Sequence, residues 1–268
     1  TPNTKAILPV HIYGLPADMD RINALAKKHH LLVLEDACQA WLAELNGKKC
    51  GTLGNLGCFS FQNSKHLTCG EGGAVVGDDD AVMDRAVSYH NFGSGGPYLG
   101  SKCRMTEFQA AILLAQMERL EEQTQRRWEN AVYLTSKLQA IPGITPHRLY
   151  DGVTRAAYHL YPFRYNAQEF NGVTRDKFIA ALRAEGIPCS GGYGRLNKAA
   201  FIENTLSSRN FQRMYSREQL DHCRAQLACP DNNLLVDEAV CFSQRVLLGT
   251  KEDMDDIANA IGKIYENR

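Results

Sequence analysis

The chain has 268 residues, 44% of them hydrophobic and 22% charged, which fits a soluble globular protein with one large core or two smaller ones. Thirty Lys and Arg balance thirty Asp and Glu, so no global field draws the chain to nucleic acid or to an anionic membrane. No apolar run is long enough to cross a bilayer, no charged-then-apolar leader opens the sequence, and nine scattered cysteines form no compact framework. The expectation is a cytoplasmic protein with reduced thiols.

The first half alternates strand and helix signals. The run from Ala6 to Val10 predicts a short strand that leads into a turn at Tyr13-Gly14. A helix is predicted from Asp18, its N-cap, with Met19, Ile22, Leu25 and Ala26 on one face. Leu31, Leu32, Val33 and Leu34 form an unbroken apolar run, as in a strand covered on both faces, and it ends at Glu35-Asp36. Strand, helix and strand at this spacing form a parallel crossover unit.

After a glycine-punctuated stretch comes a strand, Cys58-Phe59-Ser60-Phe61, with Lys65 just beyond it. Gly70-Glu71-Gly72-Gly73 and an apolar strand, Ala74-Val75-Val76, follow. A glycine-rich loop over 93–100 precedes a long helix that opens on a Thr106/Gln109 capping box. Its predicted apolar face is Phe108, Ala111, Ile112 and Ala115, and Pro142-Gly143 ends the pattern. Beyond it the sequence predicts a strand over 158–165 and two helices, one from Thr174 to Gly186 and one from Thr250. The domain boundary is placed at 135/136.

Asp36 and Lys65 thus both sit at the carboxyl ends of strands, where open α/β sheets collect their sites. A lysine at a strand end is most often a solvated charge, but its amine can also join an aldehyde as a Schiff base. Asp36 can cap the next helix, or it can set a carboxylate against the ring nitrogen of pyridoxal phosphate. Gln39 suits either a helix start or the cofactor's phenolic oxygen. The Ser60 hydroxyl can bond backbone or donate to a phosphate. Neither a nucleotide P-loop nor a dinucleotide glycine fingerprint occurs. His222, Cys223 and Cys229 lie near one another, but nothing completes a tetrahedral metal set, and no metal is expected.

The ordered series Asp18-Met19-Asp20, Glu35-Asp36-Ala37-Cys38-Gln39-Ala40, Phe59-Ser60-Phe61, Lys65 and Gly70-Glu71-Gly72-Gly73-Ala74 resembles the DegT/DnrJ/EryC1/StrS aminotransferase family. The resemblance runs from about Lys5 to the C-terminus. The stretch from Phe61 to Lys65 resembles the branch that acts on inososes and aminohydroxybenzoate precursors. It implies fold type I: a mostly parallel α/β large domain over 1–135, with a smaller α+β domain over 136–268. It also implies a homodimer with shared active sites and pyridoxal 5'-phosphate as cofactor. The implied reaction moves an amino group from glutamate or glutamine to a keto-sugar, often nucleotide-linked, or to a keto-cyclitol. By motif, Lys65 is the Schiff-base lysine, Asp36 the ring-nitrogen partner, Gln39 the phenolic-oxygen contact and Ser60 a phosphate contact. Tyr193, in Gly192-Tyr193-Gly194, matches a tyrosine near the substrate.

The chain departs from the family pattern twice. Gly100-Ser101-Lys102-Cys103-Arg104 places Lys102 where the family carries an asparagine that reaches the partner's phosphate, so Lys102 either takes that contact or points to solvent. The family also has a substantial segment before the strand near Lys5, which supplies part of the sheet and of the cofactor cradle. Two other readings follow. One is a pyridoxamine-dependent sugar dehydratase, whose relatives carry histidine in place of the lysine (His66 is adjacent here). The other is a truncated, non-catalytic cofactor-binding or regulatory protein.

Overall fold

The computed structural model describes residues 1–268. In chain order its elements begin β1 (Ala6–Ile7), α1 (Met19–His29), β2 (Leu32–Asp36), β3 (Glu44–Leu45) and β4 (Lys48–Lys49). Next come β5 (Leu56–Ser60), β6 (Gly73–Gly77), α2 (Asp80–His90) and α3 (Glu107–Leu138). The second half holds β7 (Ile144–Pro146), β8 (Val153–Arg155), β9 (Leu160–Tyr165), α4 (Arg175–Ala184) and α5 (Ala200–Leu206). It closes with α6 (Arg209–Met214), α7 (Arg217–Gln226), α8 (Pro230–Glu238), β10 (Ala239–Ser243) and α9 (Lys251–Glu266).

The residues group into two interleaved units. The first holds 1–137 together with 147–161 and 243–258, and the second holds 138–146, 162–242 and 259–268. A single cut at 135/136 therefore describes neither, because two later stretches return to the first unit.

In the first unit the sheet order is β1-β2-β5-β6. β1, β2 and β5 run parallel and β6 is antiparallel to β5. The crossover α1 starts where Asp18 accepts the Arg21 N–H. It buries Met19 and Ala26 against Val33 and Leu45. Leu25 and Leu32, predicted to be covered, are about half exposed, at 49% and 54%. Leu32 opens β2, and only Val33 and Glu35 in that strand are fully enclosed.

α3 begins at the predicted capping box: Gln109 N–H donates to the Thr106 hydroxyl, and Thr106 N–H to Gln109 Oε1. Its packed face is not the predicted one. Leu113, Leu120, Thr124, Arg127, Ala131, Leu134 and Leu138 are buried, whereas Phe108 is 86% exposed and Ile112 is exposed too. The buried stripe is set by two glutamines aimed at the loop after β5. Gln109 donates to the Glu71 carbonyl, and Gln116 exchanges two hydrogen bonds with the Thr68 backbone. Leu113 and Leu120 then pack with Phe61 and Leu67.

The tight turn at residues 12–14 brings three segments together. Gly14 has φ +82°, and a Cβ there would lie 2.6 Å from the Gln39 carbonyl and 2.8 Å from the Tyr158 and His159 backbone nitrogens. Its carbonyl accepts the Ala157 N–H at 2.9 Å. Gly14→Ala combines a left-handed strain with a backbone clash, and an expected loss of about 2–3 kcal/mol is checked by urea unfolding.

In the second unit, β7 and β9 pair antiparallel and the sheet order is β10-β9-β7. Phe163, Phe178 and Phe242 form part of its aromatic core. α4 is capped by Thr174, as predicted. The sequence reading did not anticipate α5 to α8. Their starts carry local signals nonetheless: Ser208, the Ser216/Gln219 capping box and Pro230 in the first turn.

Candidate active site

The site grows from the ends of β2 and β5, where Asp36 pairs in register with Cys58. Strand alternation sends successive side chains to opposite faces. Glu35 is fully buried and Asp36 lies half-buried on the other side. The Asp36 carboxylate accepts the Cys38 N–H at 3.1 Å, the pattern of an Asx turn that fixes the carboxylate at the strand end.

Lys65 lies five residues beyond the end of β5, half-buried, in a loop closed on itself at several points. Phe61 N–H donates to the Gly72 carbonyl, and Cys69 N–H and the Thr68 hydroxyl donate to the Phe61 carbonyl. Leu67, 1% exposed, anchors the loop in the core. The peptide between Ser64 and Lys65 is held on both edges. Lys65 N–H donates to the Gln62 carbonyl at 3.0 Å, and the Ser64 carbonyl accepts from Gln244 Nε2 at 2.9 Å.

Electrostatics tie these pieces into one site. Burial pushes the Cys38 thiol up to about 12, with the adjacent Asp36 adding to the rise and the Lys65 ammonium opposing it. Burial, then the charge of Lys65, holds His159 down at about 4, so its ring is neutral near pH 7. Asp36, Cys38, Lys65 and His159 therefore share one set of fields. His66 is buried, its ring 5.8 Å from that of His159. Burial and the Arg127 charge keep His66 well below the usual histidine range.

Gln39 is oriented by the residue 12–14 turn: its Oε1 accepts the Tyr13 N–H at 2.7 Å. Ser60 accepts the Gln62 N–H on its hydroxyl at 3.2 Å, and its carbonyl accepts from Trp41 Nε1. Lys102 is exposed, bridged to Asn91 through the backbone. Tyr193 belongs to the second unit and is 42% exposed. The structure thus gathers Asp36, Gln39, Ser60 and Lys65 on two adjacent parallel strand ends. Lys102 and Tyr193 lie on other segments.

Sequence reasoning missed His11, Gln116, His159 and Gln244. The signal for Gln116 was present, since it follows Gln109 by two helical turns on the same face. Gln244 and His159 had none: they meet the Lys65 loop only through tertiary packing.

This architecture is that of the fold type I aminotransferases. The chain superposes over its whole length on 3-amino-5-hydroxybenzoic acid (AHBA) synthase with a TM-score of 0.82 at 29% identity, covering 69% of that chain. Over 98% of its length it superposes on the sugar aminotransferase CalS13 from Micromonospora echinospora, with a TM-score of 0.80 at 26% identity and 67% of that chain covered. Residues 1–228 match the family model, and the chain belongs to the DegT/DnrJ/EryC1/StrS aminotransferase family. Similar relatives include a putative L-glutamine:3-amino-2,3-dideoxy-scyllo-inosose aminotransferase from Streptoalloteichus tenebrarius, 36% identical over all of this chain and 67% of the relative. Another is the L-glutamine:scyllo-inosose aminotransferase of Streptomyces griseus, 34% identical over all of this chain and 66% of the relative. The chain spans about two thirds of the length of the curated relatives it matches.

Proposed function

We propose that this chain carries the cofactor lysine, Lys65, of a pyridoxal-phosphate-dependent aminotransferase that moves an amino group from L-glutamine or glutamate to a keto-cyclitol or keto-sugar. The observation that carries it is the placing of Asp36 and Lys65 at the carboxyl ends of the adjacent parallel strands β2 and β5. The donor set fits the cofactor: a half-buried amine for its aldehyde, a strand-end carboxylate for its ring nitrogen and an oriented Gln39 amide for its phenolic oxygen. The Ser60 hydroxyl already accepts an N–H, which leaves its own hydrogen to donate to the phosphate.

Bound there, pyridoxal phosphate supplies an aldehyde that takes amines covalently and a ring that spreads the charge left on a deprotonated carbon. The protein's own part is to hold Lys65 Nζ where it attaches the cofactor and, once released, accepts or returns a proton. Asp36 keeps the ring nitrogen protonated. The acceptor class rests on the inosose relatives, with Tyr193 proposed to stand near the substrate. A homodimer is proposed in which Lys102 faces the partner's phosphate, supported by the exposed apolar side chains Phe108, Ile112, Leu114 and Met117 in the first turns of α3. A cytoplasmic location is proposed, in keeping with nine cysteines that form no disulfide.

The test is borohydride reduction of the chain with pyridoxal phosphate, followed by peptide mapping, which should place the adduct on Lys65. An adduct elsewhere, or none on a folded chain, rejects the assignment. Product analysis with L-glutamine and scyllo-inosose distinguishes amination, which keeps the hydroxyls, from dehydration, which removes one. Asp36→Asn should retain the Lys65 adduct but lower amino transfer by about 100-fold or more, because an amide cannot hold the ring proton. Unchanged single-turnover rates in this variant would remove Asp36 from its role.

A further inference from the structure

We propose that Gln244 is a positioning residue for Lys65, a brace that ties the Lys65 peptide to the backbone of His159. The inference rests on Lys65 being the attachment point proposed above. Gln244 is 180 residues from Ser64 in sequence yet makes a 2.9 Å hydrogen bond from Nε2 to the Ser64 carbonyl, and its own N–H donates to the His159 carbonyl at 3.2 Å. One residue thereby ties together two backbones that are distant in sequence.

The rest of the assembly is organised around the same contact. Tyr158 is buried with φ +53°, a conformation uncommon for a bulky residue, and it is locked by stacking on Trp128 and by its hydroxyl hydrogen bond with His147 at 3.0 Å. That kink sets the direction of His159, whose backbone nitrogen rests against Gly14. Gln244 is 8% exposed, and its Oε1 has no hydrogen-bond partner. A glutamine buried with half of its amide unsatisfied carries a desolvation cost, so a methionine of the same length would serve packing alone at least as well. The retained amide marks the Ser64 carbonyl as its purpose.

The brace acts on Lys65 through the Ser64–Lys65 peptide, whose N–H edge is already bound to the Gln62 carbonyl. Without Gln244 the carbonyl edge is released and the peptide can rotate, which spreads Nζ over more positions. The ionisable side chains of this cluster are Lys65, His66, His159 and, on α3, Arg127.

Two measurements on the purified chain test this. In the first, the Lys65 amine condenses with the pyridoxal phosphate aldehyde, releasing water, and hydride from borohydride reduces the imine. Timed quenching gives the capture rate. Gln244→Met should slow capture at Lys65 about tenfold, the scale of one lost hydrogen bond, with the thermal midpoint shifted by only a few degrees. Gln244→Glu should match that deficit at pH 8. As pH falls and the buried carboxyl takes a proton, it regains a donor to Ser64, so the ratio to wild type should recover. A packing role alone predicts no such recovery.

In the second, hydrogen exchange at the Lys65 amide should speed up about tenfold in Gln244→Met without cofactor. Wild-type capture and exchange rates in Gln244→Met would overturn the brace. Absence of a Lys65 adduct in the wild-type chain, with exchange still accelerated in the variant, would instead reject the attachment role while leaving the brace on the Ser64–Lys65 peptide.

Discussion

Lys65→Ala is expected to lose the phosphopyridoxyl adduct and to lower amino transfer by about 10⁴-fold or more. Two separate contributions disappear together. On the proposed role of Lys65, the amine that would fix the cofactor covalently is gone, and so is the group that would take a proton from one carbon and return it to another. Lys65 is the lysine whose charge acts on both the Cys38 thiol and the His159 ring. Lys65→Arg gives the sharper control. It keeps a cation in the site and so preserves the local electrostatics, but a guanidinium neither condenses stably with an aldehyde nor releases its proton near neutrality. Both variants should therefore fail in turnover, while only alanine should relieve the downward pull on His159, raising its titration above about 4 as followed by NMR. A small exogenous amine should partly restore proton movement in Lys65→Ala. Turnover within tenfold of wild type in either variant would end the assignment of Lys65.

The elements that position Lys65 and Asp36 were legible because they are written locally. The Asp18 cap, the apolar run of β2, the Thr106/Gln109 box and the Thr174 cap each follow from residues within a turn of one another. The ends of β2 and β5 then placed Asp36 and Lys65 without any knowledge of packing. What could not be read was which face of an element would be covered. In the first turns of α3 Phe108 and Ile112 are as apolar as the buried Leu113, and the choice falls to Gln109 and Gln116, whose partners are backbone carbonyls of a distant loop. The same holds for Gln244 and His159, which meet Lys65 only after the chain has folded back on itself. The interleaved units had no signal either, since 147–161 and 243–258 return to the first unit through contacts that no composition shift announces.

The largest stability effect is expected one residue before Asp36. Glu35 is wholly buried, yet its carboxylate is saturated. Oε2 accepts from His11 Nε2 at 2.9 Å and from Gly51 N–H at 2.7 Å, and Oε1 accepts from the N–H groups of Leu53 and Gly54, both at 2.6 Å. His11 Nδ1 accepts the Ala17 N–H at 3.0 Å, which assigns the ring proton to Nε2 and makes His11 a donor to Glu35. Burial raises the affinity of Glu35 for a proton, but the hydrogen bonds from His11, Gly51 and Gly54 outweigh it, and the folded-state pKa lies below the ordinary 4.5. Glu35→Gln turns one oxygen into an NH₂ facing donors, so at least one N–H loses its acceptor, at a cost of about 3 kcal/mol or more in urea unfolding near pH 7. The pH dependence carries the sign. Because the folded pKa is depressed, the folded state binds fewer protons than the unfolded chain below about pH 4.5. The Glu35 contribution is therefore complete above that value and is lost as pH falls through the folded pKa. Wild-type stability should fall on acidification with a steeper slope than that of Glu35→Gln, and equal slopes would show that the carboxylate titrates alike in both states. The same variant reports on the site, because the staple on Glu35 holds the strand end that presents Asp36. Loosening it should lower amino transfer in proportion to the disorder passed along β2, even where the protein remains folded.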